Sequence, residues 1–88
     1  MKKEQIYQLL NARGINATMI ARSLGVTAPA VQKVIIDGYG SERVARAVAN
    51  MCDVPMFEMF PYYQKKHEEQ QAREATQKRL DEKLARFA

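Results

Sequence analysis

The stretch Ala17-Thr-Met-Ile-Ala-Arg-Ser-Leu-Gly-Val-Thr-Ala-Pro-Ala-Val-Gln-Lys-Val-Ile-Ile36 admits very few folds, because its apolar residues fall at helical intervals on both sides of a single glycine. Asn16 is an N-cap for a helix from Ala17 to Leu24, with Ile20, Ala21 and Leu24 facing inward. Gly25 stops that helix after about two turns. Thr27 caps the next helix, which runs to about Ile36 and tolerates Pro29 because first-turn amides have no partner inside a helix. Two helices joined by so tight a turn have to cross. Ala21 sits at the crossing, where a larger side chain would push them apart, and Gly25 permits the positive φ of the turn. Ile20, Leu24, Val26, Val31 and Val34 supply the apolar contacts that set the angle. Thr27, Ala28, Ala30, Gln32 and Lys33 are left facing outward.

The flanking sequence supplies further helices. Lys2 to Arg13 carries Ile6, Leu9, Leu10 and Ala12 at helical spacing, with Gly14 as the stop. After Asp37-Gly38-Tyr39-Gly40, Ser41 caps a helix containing Val44, Ala45, Val48, Ala49 and Met51, which ends near Cys52 or Asp53. Glu42 complements the positive end of its dipole. Val54-Pro55 opens a short helical turn from Met56 to Phe60, and Pro61 closes it. Helical spacing assigns Met51, Met56, Phe57, Met59 and Phe60 to core packing. The globular domain is therefore expected over residues 1–61, with a charged helical tail over 62–88.

Tyr63 to Ala88 contains no Gly or Pro, and seven basic and five acidic residues. Leu80, Leu84 and Phe87, with Ala72 and Thr76 upstream, form one thin stripe, too narrow to bury alone. Such a helix stands free in solvent, folds back on the domain, pairs with another copy through Leu80, Leu84 and Phe87, or serves a partner protein. With no alternating strand pattern, the fold class is all-α: a five-helix domain with a long C-terminal helical extension.

A chain of 88 residues has room for one core. Its net charge of +4 and pI near 9.4 favour an anionic partner. Cys52 is the only cysteine, which excludes an intramolecular disulfide and a cysteine metal cluster and fits a reducing cytoplasm. No apolar run approaches the roughly 18 residues of a membrane span, so a soluble, unexported protein is expected. The lone His67 lies in a charged run, and no zinc spacing, phosphate loop or carboxylate cluster occurs. The expectation is a non-enzymatic chain with no catalytic residues, metal or cofactor.

The span 17–36 matches the apolar, alanine and glycine positions of the lambda-repressor-like helix-turn-helix proteins. Such proteins also carry a downstream Gly-Val-Pro-x-x-x-hydrophobic-Pro closure, here Asp53-Val54-Pro55-Met56-Phe57-Glu58-Met59-Phe60-Pro61, with Asp53 where glycine is usual. From about Ile6 to Pro61 the chain resembles that family, and most closely the phage Mu Ner-type regulators. The resemblance implies a recognition helix from Thr27 in the major groove, with Thr27, Ala28, Pro29, Gln32 and Lys33 at base edges. By type, Gln32 can pair with adenine, Lys33 can donate to guanine and Ala28 can pack on a thymine methyl group, and the base that each meets is left open. Asn16, Thr18, Ser41 and Arg43, at or near helix N-termini, become phosphate contacts. Tyr39, between two glycines, either bonds a phosphate or packs over its loop. Beyond the span of the resemblance, Lys65 and Lys66 could extend contact onto flanking DNA. Ala28-Pro29-Ala30 implies sparse direct readout, supplemented by DNA shape.

The implied function is a sequence-specific transcriptional regulator, a repressor of phage or prophage type in a bacterial cytoplasm. It would bind a double-stranded operator as a homodimer. Two alternatives stand beside it: an antitoxin or adaptor that binds protein through its tail, and an architectural or recombination accessory protein that bends DNA.

Overall fold

The computed structural model describes residues 1–86. Six helices follow in order: α1 (Lys3–Ala12), α2 (Ala17–Leu24), α3 (Ala28–Asp37), α4 (Glu42–Met51), α5 (Met56–Met59) and α6 (Pro61–Ala85). Among the described residues there is no strand, so the fold is all-helical.

Side-chain caps start the three central helices. Asn16 Oδ1 accepts the Met19 N–H at 2.9 Å, Thr27 Oγ1 accepts that of Ala30 at 3.3 Å, and Ser41 Oγ accepts that of Val44 at 3.3 Å. Gly25, at φ +71°, ends α2 in the left-handed conformation, and the axis turns by 116° from α2 into α3. Ala21 is buried at that junction, and the Val26 N–H returns to its carbonyl at 3.0 Å. The core gathers Ile6 and Leu10 from α1, Ile20 from α2, Val31, Val34 and Ile35 from α3, and Val44, Ala45, Val48 and Ala49 from α4. No polar or charged residue is buried in it.

Asp53 adopts φ +54°, at the position where the resemblance expects glycine. Aspartate is one of the few side chains that tolerate this region. Its carboxylate accepts from Arg13 Nη1 at 2.8 Å, and the same nitrogen donates to the Met51 carbonyl at 3.1 Å, tying the end of α1 to the end of α4. Cys52 is buried beside this knot, and desolvation pushes its thiol pKa up.

Two expectations need correction. Pro61 closes α5 but also occupies the first turn of α6, and Tyr63, only 1% exposed, packs into the core with Phe60. The globular unit therefore extends into α6 rather than ending at residue 61. Met51 and Phe57 are not core residues: they are 45% and 37% exposed, Met51 lining an apolar surface groove with Met19, Ile20 and Leu24, and Phe57 lying against the His67 ring. Leu80 and Leu84 are exposed, with no core residue packed on them, and Phe87 lies outside the described residues. No single helix among the described residues is long and apolar enough to cross a membrane.

Tyr63 presents a local conflict. Its hydroxyl is buried without a hydrogen-bond partner; it feels the Gly40 backbone, but desolvation dominates and raises its pKa. Removing an unsatisfied buried hydroxyl recovers its desolvation cost. Tyr63→Phe is expected to stabilise the fold by about 1 kcal/mol, whereas Tyr63→Ala should cost roughly 3–5 kcal/mol by opening a cavity. Urea denaturation followed by circular dichroism distinguishes these outcomes. At Gly25 an added Cβ meets no atom within 4 Å. Gly25→Ala should therefore lower stability by about 1–2 kcal/mol through backbone strain alone, and Gly25→Asn by less, in the same assay.

Candidate nucleic-acid interface

Helix α3 buries Val31, Val34 and Ile35 and turns its other face outward. Pro29, Gln32, Lys33 and Ile36 fall three, four and seven residues apart and share that outer face, and all four are exposed. Thr27 is exposed at the head of the helix; its oxygen serves as the cap, leaving its O–H free to donate outward. Ala28 is half-buried against the core edge, so its methyl group is only partly outward. Ile36, 53% exposed, is a surface residue absent from the expected set. Its spacing from Pro29 would have revealed it, but it was masked by the adjoining apolar Val34 and Ile35.

The expected phosphate contacts divide by environment. Asn16 and Ser41 each use one side-chain oxygen as a cap, which leaves the Asn16 amide N–H groups and the Ser41 hydroxyl proton as outward donors. Thr18 is exposed in the first turn of α2. These residues lie where the positive ends of the α2 and α4 dipoles emerge. The N-terminus of α3 offers one amide fewer than those of α2 and α4, because Pro29 has no N–H. Most of the exposed hydrogen-bonding groups of α3 are therefore side-chain groups. Arg43 is exposed, but its Nη2 donates to the Leu24 carbonyl at 3.1 Å, so part of its guanidinium holds the end of α2.

Tyr39 has a packing partner while remaining 51% exposed. Its ring centroid lies 5.3 Å from that of Tyr62, joining the α3–α4 loop to the first turn of α6. Beyond this stack, His67 Nε2 lies 2.6 Å from Glu42 Oε1, with its ring 5.1 Å from Phe57. The Glu42 carboxylate also faces Arg46 at 3.9 Å. Its pKa is held below the ordinary carboxylate value, first by the His67 hydrogen bond, then by the His67, Arg46 and Lys66 charges, with desolvation opposing.

The charge distribution sets this surface apart. Between Glu4 and Asp37 the chain has no acidic residue, while Arg13, Arg22 and Lys33 occur in that interval. Arg13 is neutralised by Asp53, whereas Arg22 and Lys33 are exposed and form no ion pair among the described residues. The Gln32 and Lys33 face is therefore suited to an anionic, hydrogen-bonding partner. No family model, curated protein or solved structure matches this chain.

The Glu42 contact has a pH signature with a defined sign. A depressed folded-state pKa gives stabilisation that is present above the unfolded value and lost as pH falls through the folded one. In a carboxyl NMR titration, Glu42 is expected to titrate below the ordinary range, and His67→Ala to move its midpoint upward.

Proposed function

We propose that this chain is a sequence-specific DNA-binding regulator of the lambda-repressor-like helix-turn-helix type, with the segment from about Thr27 to Ile36 entering the major groove. One observation carries the reading: α2 turns through 116° into α3, whose exposed Gln32–Lys33 face lies in a stretch with no acidic residue. That angle falls in the ~90–120° range of helix pairs that present a second helix to DNA. Gln32 suits adenine and Lys33 suits guanine, while Ile36 and the outward part of Ala28 suit thymine methyl groups. Asn16, Thr18 and Ser41 position the domain on phosphate, and the remaining guanidinium donors of Arg43 assist. Repression by occupying a promoter is the simplest mechanism, with two copies on inverted half-sites.

The exposed Leu80 and Leu84 favour a second reading for the tail alone, as a seam for another copy or for a protein partner. It leaves the assignment of α3 unchanged.

A duplex enriched from a random-sequence pool by the full-length protein supplies the probe. In fluorescence anisotropy, wild-type protein should prefer that duplex to a scrambled one. Lys33→Ala should reduce its affinity for the selected site about five- to hundredfold, equivalent to about 1–3 kcal/mol, with little effect on the scrambled duplex. Equally weak binding to both duplexes, abolished by salt, would instead mark only a basic surface.

A further inference from the structure

Helix α6 is anchored along one side and open along another. Tyr63 and His67, four residues apart, hold it to the domain: Tyr63 is buried, and His67 contacts Glu42 and Phe57. Tyr62, Lys66, Glu69 and Arg73 follow at intervals of four, three and four, so they form a second stripe about 100° around the helix. With Lys65 they line a shallow surface groove. This stripe begins where Tyr62 stacks on Tyr39, directly after α3 and next to the Ser41 cap of α4. The groove therefore starts against the loop that follows α3.

Its chemistry points to phosphate. Lys65, Lys66 and Arg73 are exposed and form no ion pair among the described residues, and Glu69 is the one carboxylate lining the groove. From Tyr62 to Arg73 the helix advances about 16 Å at 1.5 Å per residue. Measured along the axis of a duplex, that length corresponds to about five base-pair steps at 3.4 Å each. Further along, the next positions on the same stripe are Thr76, Gln77 and Leu80, so it carries no cation between Arg73 and Leu80.

We propose that the first three turns of α6 form a second DNA-contacting surface, which grips the phosphate backbone flanking the site read by α3 through Lys65, Lys66 and Arg73. The Tyr39–Tyr62 contact joins this surface to the loop that follows α3. It rests on the reading of α3 as the helix in the major groove. It carries no base information: these three cations lengthen the footprint and strengthen binding without changing the preferred sequence.

The test uses full-length protein and the enriched site in two duplexes, one trimmed to the site and one with ten flanking base pairs at each end. At about 0.1 M salt, wild-type protein should bind the longer duplex roughly tenfold more tightly than the trimmed one. The triple variant Lys65→Ala, Lys66→Ala, Arg73→Ala should lose that gain, show a log K against log salt slope shallower by roughly 2–3, and keep its preference over scrambled DNA. Glu69→Gln should tighten binding to the longer duplex a few-fold. Identical affinities and slopes for wild type and triple variant on the longer duplex would overturn the proposal. If that occurs while Lys33→Ala still abolishes site preference, the reading of α3 survives alone; if wild-type protein prefers no DNA sequence, both fall.

Discussion

The crossing of α2 over α3 governs the rest of the molecule. It depends on close contact at Ala21, on a backbone turn through the left-handed region at Gly25, and on Val31 and Val34 closing the space beneath. Arg43 reaches across from α4 to the Leu24 carbonyl and so ties the same junction from a third element. Because the helices that meet there are short, little of their stability is local. The angle is held by burial, and the burial requires the angle. This cooperation fixes where Gln32 and Lys33 stand relative to the helix N-termini capped by Asn16 and Ser41.

A second set of contacts decides what becomes of the long final helix. Most of its residues are polar or charged and it lacks a broad apolar face, so its sequence gives little reason for it to stay on the domain. Three aromatic or ionisable contacts in its first two turns supply that reason: Tyr63 in the core, Tyr62 on Tyr39, and His67 between Glu42 and Phe57. Tyr63 is held by apolar contact although its hydroxyl lacks a partner, which leaves docking dependent on shape more than on polar bonding. Anchoring at one end explains how a helix can start as part of the core and finish with Leu80 and Leu84 exposed.

The surface around α3 combines features with different physical roles. Pro29 removes a backbone donor where an anion would otherwise meet the helix, so side chains carry more of any recognition. Gln32 offers a hydrogen-bonding amide, Lys33 a point charge and Ile36 apolar area, which together suit a grooved, negatively charged partner better than a flat apolar one. The open stripe on α6 supplies charge without comparable specificity. Strength and selectivity would then reside on separate elements, linked through the Tyr39–Tyr62 stack.

The sequence by itself determined every helix of the first sixty residues to within a residue or two, because caps and glycines mark ends through local chemistry: Asn16, Thr27 and Ser41 cap in the structure as their types and positions suggest, and Gly25 turns. The outward positions of Gln32 and Lys33 were equally legible, since helical spacing alone separates them from Val31 and Val34. Only the tertiary structure decided which apolar residues the core had room for. Met51, Phe57 and Ile36 have the composition of core residues yet remain outside, while Tyr63, which reads as the start of a solvated tail, is inside. It also decided that Asp53 would take a positive φ and meet Arg13, and that Tyr39 would meet Tyr62. Periodicity along a helix gives the direction of a side chain, but whether that direction leads to water or to another helix depends on residues far away in the chain.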